Sequence, residues 1–269
     1  MQKERLKPKP APTATGRVFF EELLKSDFFI KENEEVFLVT PTCARCNRLF
    51  GVGEVKGVEK RGNITKIKIS DLTATLNIYT DKVIRLELNN FLAFVGNLHV
   101  RVREGKGKSK GVLILVEEAG VVEENVRNNW IINTARRTLE RIELLRLNLN
   151  LSLENALPKK QGRAVSESTL KEAVEHYAID DDKLDSWGNV AINAVKGVWQ
   201  HYSKTTKEMV LELLEESEKS SMERVKLTNE LKKKGLMEEW VEEVIDELIV
   251  EGRCYEPEVG VVKVVEVEE

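Results

Sequence analysis

Between Val36 and Val122 the chain runs through a series of short segments in which apolar and polar residues alternate, each closed by turn material. The segments are VFLVT, LFGVGEV, ITKIKIS, TATLNIYT, FLAFVGNLHVRV and GVLILVEEAGVV, separated by stretches such as Lys60-Arg61-Gly62-Asn63 and Gly105 through Gly111. Alternation with a period of two is the signature of a strand with one buried face. Five or six such strands within about 90 residues predict a small closed barrel, because closure leaves no sticky edge to the sheet.

At Glu123 the period changes. Ile131, Ala135, Thr138, Ile142, Leu145 and Leu149 recur at alternating spacings of four and three, with Ile132 and Leu139 beside them. That spacing predicts a helix over residues 123–150 with a sustained apolar seam. The seam can pack along the barrel or meet partner helices. A small barrel offers little surface to so long a stripe, which favours an oligomerisation helix.

The remaining chain divides around these two elements. Residues 1–16, with Lys3, Lys7 and Lys9 among Pro8, Pro10 and Pro12, lack apolar surface to bury and read as a disordered basic tail. The barrel domain is expected over 17–122, and a linker with helices over 151–204. Helices are expected near Thr205–Glu216, Met222–Lys234 and Glu238–Glu251, with Ser221 as an N-cap and Gly235 and Gly252 as stops. A hairpin of Arg253–Glu256 and Val261–Val267 follows. Three helices then a hairpin is the order of a winged-helix domain, placed at 205–269. The expected class is a multidomain β barrel plus α.

Charge separates the two halves. Residues 1–122 hold 21 Lys and Arg against 15 Asp and Glu, while residues 123–269 hold 21 against 31. A polyanion is drawn to the first half and repelled by the second. The expected third helix of the C-terminal domain, Glu238–Glu251, carries seven carboxylates and no Lys or Arg. Beside a phosphate backbone it would repel, so this domain reads as a protein-docking module and not a duplex reader.

Parity sorts the barrel strands into faces. In ITKIKIS, Ile67 and Ile69 share one side and leave Lys66 and Lys68 on the other. In TATLNIYT, Ala74, Leu76 and Ile78 face one way, and Thr75, Asn77 and Tyr79 the other. If the two strands pair, two lysines, an amide and an aromatic ring point outward together. Cations follow the phosphates of a single strand and a flat ring stacks on an unpaired base, for about 1–3 kcal/mol. Lys106, Lys108 and Lys110, alternating with glycine between the last two strands, would place charge on a loop able to close over such a strand.

The segment Pro41-Thr42-Cys43-Ala44-Arg45-Cys46-Asn47-Arg48-Leu49-Phe50 resembles the entry to the barrel in the winged-helix-containing, middle subunit of archaeal replication protein A. Asn129-Trp130 and Thr134-Ala135-Arg136-Arg137-Thr138-Leu139 look like the helix just after that family's barrel, an OB-fold (oligonucleotide/oligosaccharide-binding fold). The resemblance implies one subunit of a heterotrimeric single-stranded-DNA-binding complex acting in replication, repair and recombination. It implies two further replication protein A subunits joined through a helix bundle, which gives Ile131, Ile132, Ala135, Leu139, Ile142, Leu145 and Leu149 their partners. It implies recruitment of enzymes such as primase and DNA polymerase by the winged helix. Arg45 and Arg48 would lie at the barrel mouth, contacting DNA or pinning the N-terminal segment by salt bridges.

No catalytic constellation, metal site or cofactor is expected. Cys43-x-x-Cys46 lacks the four ligands of structural zinc, and buried thiols or a local disulfide explain it better. Asp180-Asp181-Asp182 reads as a helix cap. With no apolar run of about 18 residues and no signal-peptide core, no membrane span is expected and the chain reads as cytoplasmic. Two other classes fit the pattern less well: a winged-helix transcription regulator of duplex DNA, and a protein-assembly adaptor without nucleic acid.

Overall fold

The computed structural model describes residues 15–32, 34–103, 109–151 and 166–265. The chain forms two compact units, 1–195 and 196–269.

The first unit opens with a short helix, α1 (Phe20–Leu24), and a small antiparallel sheet of β1 (Phe28–Glu32), β2 (Glu35–Val39) and β3 (Arg45–Cys46), in that order. Five strands follow: β4 (Arg48–Arg61), β5 (Ile64–Ser70), β6 (Thr75–Thr80), β7 (Phe91–Arg103) and β8 (Ser109–Val122). They close in the order β4-β5-β6-β8-β7, every pair antiparallel except β6 with β8.

The long β4 makes closure possible. It pairs with β7 over Arg48–Glu54 and with β5 over Glu54–Arg61, so one strand serves two neighbours. The barrel tightens where Gly53 lies, since a β-carbon there would stand 2.5 Å from the Ser70 carbonyl oxygen. Leu49, Val55, Ile67, Ile69, Ile78 and Leu92 fill the interior without measurable exposure. The alternation seen in the sequence is therefore the inside-outside alternation of the barrel.

One end of the barrel is closed by aromatic side chains from both flanks. Phe19 and Phe20 precede the barrel, and Trp130 lies on the helix that follows it, α2 (Glu124–Leu151). The Phe19 and Trp130 rings meet edge to face at 6.0 Å, and Phe20 lies 6.0 Å from Trp130 and 6.3 Å from Phe94. Such contacts add about 0.5–1.5 kcal/mol each beyond the area they bury. The Trp130 Nε1–H donates to the Phe50 carbonyl at 3.2 Å, so the indole satisfies its polar atom as well. Asp71 fixes α1 by accepting from the Phe20 amide at 2.7 Å.

Two more helices, α3 (Glu167–Tyr177) and α4 (Asp181–Glu215), follow the sequence segment expected to be a linker. Ser166 caps α3 by accepting from the Thr169 amide, and Asp180 caps α4 by accepting from the Lys183 amide at 2.8 Å. These helices change the account of the α2 seam. Ile142 and Leu145 pack with Ile179 and Leu184, with Leu149, Leu170, Val174 and Trp187 against them. A β-carbon at Gly188 would lie 3.9 Å from Leu139 and 4.0 Å from Ile142, so α4 runs close to α2 there. Ile131, Ala135, Ile142 and Leu145 are buried within this one chain, Ile132 and Leu149 are half-buried, and Leu139 is exposed. The chain itself thus covers much of the seam expected to meet partner subunits, and Leu139 stays open.

The second unit takes in the last part of α4, then β9 (Ser221–Glu223), α5 (Arg224–Lys233), α6 (Glu238–Val250), β10 (Cys254–Glu258) and β11 (Val261–Val264). Its sheet has the order β10-β11-β9. The core joins Val210 and Leu214 to Leu227, Leu231, Val244, Ile245, Leu248 and Val262. Gly235 and Gly252 sit after α5 and α6 at φ 90° and 70°, where a side chain would be strained. Ser221 begins β9 and does not cap α5, whose preceding residue is Glu223. Lys263 pairs with Ser221 across β11 and β9, so the serine is held in extended backbone. Among the described residues no helix is long and apolar enough to cross a membrane.

Candidate nucleic-acid interface

The β5–β6 register sets the outer face of the barrel. Lys66 lies directly opposite Tyr79, and Lys68 opposite Asn77, while Ile67 opposite Ile78 and Ile69 opposite Leu76 point inward. The structure therefore brings Lys66, Lys68, Asn77 and Tyr79 onto one patch about two residues deep. Lys68 and Asn77 are exposed, Lys66 and Tyr79 half-buried. Among the described residues neither Lys68, Asn77 nor Tyr79 has a side-chain hydrogen bond or ion pair.

Neighbouring strands decide what each member of the patch can offer. On β4, Glu59 stands opposite Lys66, and the Lys66 ammonium donates to its carboxylate at 3.3 Å. The same carboxylate lies 3.8 Å from Arg61 at the β4–β5 turn. Opposite Lys68 is Gly57, which leaves that side of the lysine open. On the other flank, β8 places the exposed Leu115 beside Tyr79. Leu115 escapes sequence inspection because a parallel pairing between distant strands leaves no local mark. Its apolar side chain widens the surface on which a flat ring can rest.

The two arginines at the barrel entrance are engaged within the chain. Arg45 pairs with Glu32 at 2.8 Å and stacks on the Phe37 ring at 3.8 Å, tying together the sheet that precedes the barrel. Arg48 donates through Nε to Glu117 on β8 at 2.6 Å, and Asn97 donates to the same carboxylate at 2.7 Å. Both arginines are thus salt-bridged, Arg45 within the sheet before the barrel and Arg48 between two barrel strands. Lys110 lies in β8 opposite Val102, and Lys106 and Lys108 fall outside the described residues.

Cys43, Cys46 and Cys254 are free thiols. Burial pushes Cys43 and Cys46 up to about 12, with the Glu22 charge adding to the effect and Arg141 opposing it. Thiols so held are poor nucleophiles and poor metal ligands at neutral pH. Among the described residues no three His, Cys, Asp or Glu side chains converge as a metal site.

A closed five-stranded barrel with this strand order and a single parallel pairing has the connectivity of an OB-fold. In structural comparison the chain is similar to a replication protein A heterotrimer bound to single-stranded DNA, at 13% identity and TM-score 0.38 over 48% of this chain and 98% of that one. It is similar to the Stn1–Ten1 complex of S. pombe at 9% identity and TM-score 0.38, over 48% and 93%. It is also similar to the mitochondrial single-stranded-DNA-binding protein Rim1 of S. cerevisiae at 16% identity and TM-score 0.24, over 29% and 94%. Neither a protein-family model nor a curated protein sequence matches the chain.

Proposed function

We propose that this chain is a cytoplasmic, non-catalytic subunit of a single-stranded-DNA-binding complex of the replication protein A type, with the barrel holding the strand. The observation that carries this is the pair of cross-strand neighbours Lys66–Tyr79 and Lys68–Asn77 on the outside of the β5–β6 pair. A ring beside cations on a barrel wall suits unpaired bases and their phosphates, with little preference for base identity.

The second unit, which we read as a winged helix, serves protein partners such as primase and DNA polymerase. Five of the seven carboxylates on and just after α6 are already committed. Glu242 and Asp246 bind Arg224, Glu247 and Glu251 bind Lys207, and Glu238 binds Lys232. Glu239 and Glu243 remain beside the half-buried Trp240, giving an aromatic and acidic surface unsuited to a phosphate backbone. Companion subunits would meet α2 on the side away from its buried seam, where Leu144 and Leu147 are 55% and 51% exposed.

Fluorescence anisotropy of the full chain with labelled oligothymidylate tests the strand-binding proposal. Lys68→Ala with Tyr79→Ala should weaken binding by about tenfold or more, because stacking on one ring is worth about 1–3 kcal/mol. Affinity equal to that of the unsubstituted chain would overturn the assignment.

A further inference from the structure

A second cationic site lies where the start of β4 meets α2. The Arg17 guanidinium stands 5.1 Å above the Phe50 ring. Phe50 and Arg48 are two residues apart on β4, with the buried Leu49 between them, so both face outward. The chain is pinned beside them, because Gly16 donates to the Arg48 carbonyl at 2.6 Å and accepts from the Phe50 amide at 2.9 Å. Arg137 lies on α2 two turns after Trp130, the residue that packs on Phe19 and Phe20. Burial first and the Arg137 charge second pull the Arg17 guanidinium below its ordinary value.

Among the described residues neither Arg17 nor Arg137 lies within ion-pair distance of a carboxylate. Among the described residues Arg136 donates to the neutral Asn133, at 3.0 Å, and to no carboxylate. The site shares this with Lys68 on the β5–β6 face, whereas Arg45, Arg48, Lys56, Lys66 and Lys82 are each matched by a carboxylate. Two like charges left uncompensated beside an aromatic ring are the reverse of a stabilising arrangement, and an anion between them relieves it.

The register connects this site with the β5–β6 face. Tyr79 is paired with Leu115, Leu115 with Asn97, and Asn97 with Arg48. Those are three inter-strand steps, about 14 Å along the backbone. The row passes over the exposed Leu115 and over Glu117, whose charge Arg48 and Asn97 already hold.

We infer that Arg17 and Arg137 form a second phosphate-binding station, where a single strand leaving Tyr79 across Leu115 and Arg48 is held by its backbone. The inference rests on the strand-binding proposal and lengthens its footprint. It predicts that short strands engage only the β5–β6 face and that longer ones reach α2.

The test uses the full chain with oligothymidylates of about 4 and about 16 nucleotides, the span of OB-fold site sizes. Arg137 is exposed, so Arg137→Ala leaves the fold intact, and an unchanged melting curve checks this. Arg137→Ala should weaken binding of the longer strand about fivefold and reduce the steepness of its salt dependence by about 0.7, with the shorter strand unaffected. Arg137→Lys should restore most of the loss. Equal loss at both lengths, or none at the longer, overturns the station. If Lys68→Ala with Tyr79→Ala weakens both lengths while Arg137→Ala weakens neither, the face stands and the station falls. Absence of binding by the unsubstituted chain at either length overturns both.

Discussion

Arg141 on α2 reaches back 119 residues to Glu22 on α1, with its Nη2 3.3 Å from the Glu22 Oε2. Glu22 is 1% exposed, and its other oxygen accepts from the Thr40 and Thr42 hydroxyls at 2.5 Å each. Arg141 also donates through Nε to the Thr42 hydroxyl at 2.8 Å. One carboxylate thus joins the helix before the barrel, the β2–β3 turn and the helix after it. Glu22→Gln should lower stability by about 3 kcal/mol in denaturant unfolding, because it leaves a partly buried guanidinium without its counter-charge. Arg141→Met should cost a comparable amount and the double variant less than the sum. Additive losses would show that the two residues act separately.

The thiols near this network should resist modification. With Cys43 and Cys46 pushed up to about 12 by burial, the folded chain at pH 8 holds both almost wholly protonated. A thiol-specific reagent should label them slowly in the native state and quickly in denaturant. The folded state keeps these protons after the unfolded chain has lost them, so stability should fall as pH rises from about 9 toward 12.

Asp71 supplies a second pH effect, on the acid side. Burial raises its carboxyl to about 6, against the pull of donors from Thr73, Phe20 and Ala74. Between about 4 and about 6 the folded state binds the extra proton, so this group's contribution to stability falls as pH rises through that window and is constant above it. Asp71→Asn removes the titration. Its amide must also set an N–H against either the Phe20 amide or the Thr73 and Ala74 donors. The stability gap between the two proteins should narrow as pH rises from 4 to 6, and a constant gap would contradict the assignment.

In the second unit Arg224 holds Glu242, Asp246 and Glu256, joining the start of α5 to α6 and to β10. Its own charge is stabilised by these carboxylates, which raise it above the ordinary arginine value against the cost of burial. Arg224→Lys should not rescue the loss seen with Arg224→Ala, about 1–3 kcal/mol, because one ammonium lacks the fork that spans several carboxylates. Thermal unfolding followed by the fluorescence of Trp199 and Trp240 reports this unit.

Two glycines should respond in opposite directions. Gly188 lies within α4, and an added β-carbon would meet only ordinary contacts, so Gly188→Ala should gain about 0.5–1 kcal/mol. Gly53→Ala would drive a methyl to 2.5 Å from a backbone oxygen and should cost about 1–3 kcal/mol. Denaturant midpoints of the two variants decide both.

The residues differ in how far the sequence revealed their places. Lys66, Lys68, Asn77 and Tyr79 were legible because a period of two is local and the two strands are joined by a short turn. The helical period of Ile131 to Leu149 was equally legible, but its cover was not. Periodicity shows that a face is apolar and says nothing of what lies against it, and the covering residues Ile179, Leu184 and Trp187 sit beyond the residue 152–165 segment. Phe28–Glu32 escaped notice because FFIKE shows little alternation, with only Lys31 fully turned to water. The proposed station at Arg17 and Arg137 depends on the packing of Phe19 against Trp130, which joins segments more than 100 residues apart that no short window contains.

Glu59 gives the proposed interface a built-in competitor. A phosphate arriving at Lys66 must displace a carboxylate already seated at 3.3 Å. The cation that the phosphate sheds into solution is then matched by one recruited to the vacated Glu59, so this contact is nearly silent in a salt titration. Counting lysines on the barrel wall would overstate the ions exchanged on binding. It would also overstate how long the strand stays, since the displaced carboxylate remains alongside, ready to reclaim its place as the strand begins to leave.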